Sequence, residues 1–313
     1  METTTPTPKI QLYERRAFGD KISAVFSFLR ENFKVIFKLY SLFFIPLCII
    51  MALLLNGIFN SMGEKMTGSG SQIDPAALWG DFGFLASYIG EMLMALLGGW
   101  ILYSLIISLM QVYQERENGL KGIVFADIKE KFFANLRKVL VVSVAIVVLM
   151  SVYWAIAGLI AVPLPATLVL TIPLFIVCLI PLFLIYPAYT LGIGEKGIWK
   201  SVVWSFRNGI RCWGGTCILL IVCGLLSNII VGIFAIPWYI VYMAAILSPD
   251  SGAGFSLSGG MAVLSFLFGW LMCFGQFLAS MIPLLGVVFQ YGHMRERAEN
   301  VTVDQEVQNF DKL

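Results

Sequence analysis

Five stretches of this chain contain no Asp, Glu, Lys or Arg: 39–63, 92–114, 139–194, 212–249 and 251–294. A helix needs about 20 apolar residues to cross the hydrocarbon of a bilayer, so the first two runs hold one crossing each. The other three, divided by turn signals, hold four more. Water is excluded as the main solvent, because the 313 residues are 59% hydrophobic and 13% charged, against about 25% charged in a soluble domain. The pattern predicts an all-α integral membrane bundle of six transmembrane helices, at about 39–59, 84–112, 139–161, 166–185, 214–236 and 261–283. It divides the chain into a mobile tail at 1–18, a membrane domain at 19–293 and a C-terminal tail at 294–313.

The cations sort with the spans. Arg15, Arg16, Arg30 and Lys34 precede the first; Arg116, Lys131, Arg137 and Lys138 lie between the second and third; Lys200, Arg207 and Arg211 lie between the fourth and fifth; Arg295 and Arg297 follow the sixth. Only Lys65 falls on the other side. The positive-inside rule makes the cation-rich side cytoplasmic, which places both termini in the cytoplasm and the protein in the cytoplasmic membrane. The chain up to Lys38 is polar or amphipathic where a signal peptide would carry its apolar core, so the first span is expected to be an uncleaved anchor.

Three segments share one plan: ISAVFSFLRENFKVIFK at 22–38, DIKEKFFANLRKV at 127–139 and WKSVVWSFRNGIRCW at 199–213. In the first, Ile22, Val25, Phe26, Leu29, Phe33, Ile36 and Phe37 fall at the spacing of one helix face. The register that sets Arg30 on Arg137 and Arg207 places Phe132, Phe133, Leu136 and Leu140 on the same stripe. It also places Trp199, Val202, Val203, Phe206, Ile210 and Trp213 there. The chain therefore reads as three repeats of an amphipathic interfacial helix leading into a membrane hairpin. Arg30, Lys34, Arg137, Lys138, Arg207 and Arg211 are the membrane-surface cations of this reading. Each contributes about 1 kcal/mol beside anionic lipid, while the stripe enters the acyl boundary. The plainer meaning of these charges is that they set topology, and both can hold at once.

Local signals refine the outline. Gly, Ser and Asp-Pro at 60–83 predict an outer loop made of turns, and Pro163 with Pro165 predicts a tight outer turn. Pro173 and Pro181 interrupt the fourth span, with Pro187 just beyond it. Pro237 is expected to break the long fifth run, leaving WYIVYMAAIL as a separate aromatic segment. Thr302 and Gln305 form a capping box for a short docking helix. Gly275 with Ala279, and Ser151 with Ala155, have the small-xxx-small spacing of close helix contacts. The six cysteines read as small apolar packers.

Chemistry is sparse. Glu91 is the one carboxylate that reaches a span, and counting back from Val112 puts it at the outer interface as a solvated glutamate. Asn228 and Gln276, with Ser151, Ser227, Thr171 and Ser280, could line a path through the bundle, although such residues more often bond between helices at about 0.6 kcal/mol each. His293 is the only histidine, and the chain lacks a GxxxxGKS phosphate loop and a GxSxG elbow. No catalytic residue, cofactor or metal site is predicted, and no nucleic-acid partner. Glu91, Asn228 and Gln276 are the candidate path-lining residues.

SFLREN at 27–32, WSFRNG at 204–209, the proline-rich span before the latter and the FQYGHMRERAEN exit at 289–300 make the chain resemble a group of bacterial six-span proteins. These are similar to the membrane domain attached to some glycerophosphoryl diester phosphodiesterases. The activity of that family belongs to a separate soluble barrel with histidine and carboxylate motifs, so the resemblance implies no enzymatic role for this chain. The expected function is a non-enzymatic scaffold or accessory that organises anionic membrane lipids or a partner protein. The alternative is a permease for a small molecule.

Overall fold

The structure, a computed structural model, describes residues 9–65, 75–161, 168–192, 197–247 and 259–302. Eight helices account for almost all of them: α1 (Phe18–Lys65), α2 (Pro75–Trp79), α3 (Phe82–Glu115), α4 (Phe125–Ala161), α5 (Leu168–Leu191), α6 (Ile198–Arg211), α7 (Trp213–Ile246) and α8 (Gly260–Glu299). No strand occurs among the described residues. Six of the helices, all but α2 and α6, are long and apolar enough to cross a membrane. The protein is therefore an all-α, multi-pass integral membrane protein.

The helices overrun the expected spans for a physical reason. The 48 residues of α1 extend about 72 Å at 1.5 Å per residue, more than twice the hydrocarbon thickness. The first amphipathic segment and the first span are thus one continuous helix, and α4 joins the second segment to the third span in the same way. The third segment stands alone as α6. Its chain turns at Cys212, just before Gly214 and Gly215, residues with poor helix propensity.

Part of the expected 60–83 loop is helical, since α1 runs through Lys65 and α2 occupies Pro75–Trp79. Asp81 caps α3: its Oδ1 accepts the Phe84 N–H at 2.8 Å, one of the donors that a helix start leaves unpaired. Its Oδ2 lies 3.4 Å from Lys65 Nζ. The Phe84 amide first, and Lys65 after it, hold the Asp81 carboxyl below its ordinary range.

The prolines do not end helices. Helix α7 continues through Pro237 to Ile246, which corrects the expected break, and α5 continues through Pro187 to Leu191. A proline inside a helix lacks the N–H that would bond the carbonyl four residues earlier, and inside a membrane neighbours must serve that carbonyl. For Pro181 that carbonyl belongs to Val177, and it accepts the indole N–H of Trp213 at 3.2 Å. Beyond Pro237 the helix is held by rings, because Phe59 lies 4.6 Å from both Trp238 and Tyr242. The 66–74 stretch, the Pro163–Pro165 turn, the 248–258 stretch and Gln305 lie outside the described residues.

The chain divides into two compact units. The first comprises Met1–Phe37, Tyr103–Gly224 and Ile282–Leu313, the second Lys38–Leu102 and Leu225–Met281. In the first, α5 supplies two apolar faces. Ile180, Leu184 and Ala188 pack with Val287, Tyr291 and Met294 of α8, while Leu182 and Ile185 pack with Val142 of α4 and Val202 of α6. Gly209 lets α6 lie against α5, since a Cβ there would sit 3.2 Å from Pro181 Cα and 3.1 Å from Leu184 Cδ1.

Residues 9–17 of the expected mobile tail are docked on this same unit as a non-helical strap; residues 1–8 lie outside the described residues. Ile10 donates its N–H to the Tyr113 hydroxyl at 3.1 Å and accepts from Gln114 Nε2 at 2.9 Å. The Tyr13 hydroxyl donates to the Leu191 carbonyl at 3.1 Å, and the Arg16 N–H donates to His293 Nδ1 at 3.0 Å. Leu12 is 2% exposed. At the other end of the chain, α8 reaches Glu299, so 294–299 is helix rather than tail. The Thr302 hydroxyl and N–H both donate to the Glu296 carboxylate.

In the second unit, Tyr40 lies 4.4 Å from the Phe44 ring and 4.7 Å from that of Phe274, and its hydroxyl donates to the Phe274 carbonyl. Asn56 accepts from the Ser265 hydroxyl at 2.7 Å. Gly275 is buried where α7 and α8 meet at Phe234.

Candidate functional site

The three amphipathic segments share a pattern of exposure. Phe26, Arg30 and Phe33 are exposed in the first, Phe133, Arg137 and Leu140 in the second, and Val203, Arg207 and Ile210 in the third. The buried positions also correspond: Val25, Phe28 and Asn32; Phe132, Asn135 and Val139; Val202, Ser205 and Gly209. The stripe expected to enter lipid is therefore split. Val25, Phe132, Val202 and Ile36 turn into the protein, while the residue one step further round carries the exposed apolar surface. Each segment thus presents an arginine between two exposed apolar side chains, one turn before it and one turn after it. Lys34 and Arg211 are exposed as well, and Lys138 is half-buried.

Helix α6 carries this arrangement furthest. Its buried face is Ser201, Val202, Ser205 and Gly209, and Trp204 anchors it with its ring 5.2 Å from that of Tyr291. One open side forms a cleft of about 710 Å³ with the end of α8, lined by Lys200, Trp204, Arg207, Asn208, Arg211 and Arg297 among others. The acid on its wall, Glu299, is already engaged: it accepts from Trp204 Nε1 at 2.9 Å and pairs with Arg295 at 3.2 Å. Among the described residues, Lys200, Arg207, Arg211 and Arg297 form no ion pair. The other open side is an apolar trough of about 540 Å³ along Val202, Val203, Phe206 and Ile210, which also touches Arg207 and Arg211.

A buried polar network crosses α3, α4 and α5. Asn135 donates to the Ser108 hydroxyl at 2.8 Å and to Gln111 Oε1 at 2.9 Å. Gln111 donates to the Thr190 carbonyl at 3.3 Å, and the Thr190 hydroxyl donates to the Tyr186 carbonyl at 2.8 Å. Tyr186 and Ser143 hydroxyls meet at 3.0 Å. These residues are absent from the polar set singled out by the sequence. The signal that marks them is the helical spacing of Ser104, Ser108 and Gln111 within an otherwise apolar run.

The candidate path-lining residues fare differently. Glu91 is half-buried, and its Oε2 is closed off by protein with no hydrogen-bond partner among the described residues. It is thus not the freely solvated carboxylate that the residue count predicts. Asn228 and Gln276, in the same unit, are exposed. The Gly275–Ala279 pair is buried, whereas Ser151 and Ala155 are both exposed and mark no helix contact among the described residues. All six cysteines are unpaired, and no three His, Cys, Asp or Glu side chains among the described residues converge on a metal-sized site. Comparison with protein-family models, with curated proteins and with solved structures finds no match to the chain.

Proposed function

We propose that this multi-pass protein is a non-enzymatic scaffold or accessory of a bacterial cytoplasmic membrane. It organises anionic lipids, or a partner protein, along the cytoplasmic face. The observation that carries the reading is the threefold recurrence of an exposed arginine between exposed apolar side chains, at Phe26–Arg30–Phe33, Phe133–Arg137–Leu140 and Val203–Arg207–Ile210. Such a surface suits the boundary where apolar groups enter the acyl region and guanidinium groups meet headgroup phosphates. The three are read as internal repeats of one plan, an amphipathic segment leading into a membrane hairpin. Both termini lie in the cytoplasm on this reading, with the cation-rich ends of the helices.

Extraction of the protein with its surrounding lipid into polymer-bounded discs tests this. The wild-type shell is expected to be enriched in anionic lipid over the bulk membrane, and Arg30→Glu, Arg137→Glu and Arg207→Glu combined are expected to abolish the enrichment. A wild-type shell with bulk composition would sink the reading.

A permease is the second reading, favoured by the buried oxygen of Glu91 that has no hydrogen-bond partner among the described residues, since an ionisable group within a span commonly marks a transport path. It predicts saturable flux into liposomes that Glu91→Gln abolishes. Flux unchanged by that substitution would remove Glu91 from any path.

A further inference from the structure

The cleft between α6 and the end of α8 exceeds what an interfacial stripe requires, because Arg297 belongs to α8 and to none of the three amphipathic segments. We propose that it binds one phosphate-bearing anionic lipid per chain. The phosphate lies among Arg207, Arg211 and Arg297, and an acyl chain follows Val203, Phe206 and Ile210. This deepens the reading of the segments as lipid-facing and rests on it.

Three observations carry the assignment. The first is charge. Among the described residues, four cations line the cleft against one acid, and Glu299 is already satisfied by Arg295 and Trp204. The cleft therefore offers guanidinium groups that form no ion pair among the described residues, and their planar donor array matches phosphate oxygens. The second is size: about 710 Å³ falls within the 300–1,000 Å³ or so typical of small-molecule sites. The third is the adjoining apolar trough, which shares Val203, Arg207 and Arg211 with the cleft. A soluble phosphate would have no use for the trough. An amphiphile fills both concavities at once, with the two arginines at its polar–apolar boundary. Trp199, exposed at the rim of the cleft, suits that same boundary, where indoles concentrate.

Native mass spectrometry of the full chain in detergent, titrated with phosphatidylglycerol or phosphatidylcholine, tests the proposal. The expected result is one retained phosphatidylglycerol, preferred about tenfold over phosphatidylcholine, whose own quaternary ammonium neutralises its phosphate and meets the arginines as a like charge. Arg297→Gln and the Arg207→Gln/Arg211→Gln pair each remove the preference. Arg30→Gln and Arg137→Gln, exposed cations of the other two segments, leave it intact. All these cations are exposed, and unchanged melting temperatures identify variants that remain folded; Arg297→Lys restores binding at least in part. Equal weakening by Arg30→Gln and Arg297→Gln would overturn the discrete site while leaving general lipid attraction standing. Displacement of the lipid by an equal concentration of glycerol phosphate would overturn it in favour of a soluble anion. No anionic preference in any form would overturn this proposal and the broader one together.

Discussion

Gly275→Leu is expected to cost about 3 kcal/mol or more, the upper end for overpacking a tight contact, seen as a lower melting temperature of the purified protein. A Cβ at Gly275 would lie 2.2 Å from Phe234 Cγ and 2.6 Å from Phe234 Cβ. Those atoms sit close to the α7 backbone, so a rotamer change cannot clear them and the helices must part. Gly98 makes an instructive comparison. Its Cβ would meet the far tip of the Phe277 ring, at 2.3 Å from Cζ, and a ring tip can swing aside. Gly98→Ala should therefore be milder than Gly275→Ala. Gly224→Leu is the control, because nothing lies within 4 Å of a Cβ there. If Gly275→Leu melts with Gly224→Leu, the close approach of α7 and α8 is wrong.

The second large effect is local. A Cβ at Gly292 would lie 2.2 Å from the carbonyl oxygen of Leu12, a backbone atom fixed by the hydrogen bonds on either side of it. Gly292→Val should evict the strap and spare the helices. An overpacking cost of about 2 kcal/mol converts to a rise of roughly thirtyfold in the open population. Trypsin reports it, since Arg16 is 8% exposed in the docked strap and its N–H is held by His293. Cleavage after Arg15 and Arg16 should accelerate by that factor, while Gly99→Val, with open space around its Cβ, leaves the rate unchanged. An unchanged rate in Gly292→Val would show that the strap is not held at Leu12.

The six crossings were legible because a charge-free run longer than about 20 residues has few other uses. The split of the amphipathic stripe was not. Val25 and Phe26 are adjacent and equally apolar, and in a membrane protein both lipid and protein accept apolar side chains, so hydropathy cannot tell the buried one from the exposed one. In water it could, since only one of those faces would be apolar. Pro237 misled for a related reason. Proline ends helices in water, whereas aromatic packing and neighbouring donors keep a membrane helix intact across it. The strap escaped notice because its anchors are backbone groups meeting Tyr113, Gln114, Leu191 and His293, which lie far along the chain. The cleft was half visible. Arg207 and Arg211 stand out by spacing, but only the fold brings Arg297 to them.

One bond links the fates of two helices. With the indole of Trp213 filling the gap below Pro181, across 36 positions of sequence, α5 relies on α7 for a donor that its own backbone lacks. Alanine in place of that proline would mend α5 by itself and, in the same stroke, turn the tryptophan out. What repairs most helices would here unfasten a neighbour, so substitutions at the two positions are tied to occur in concert.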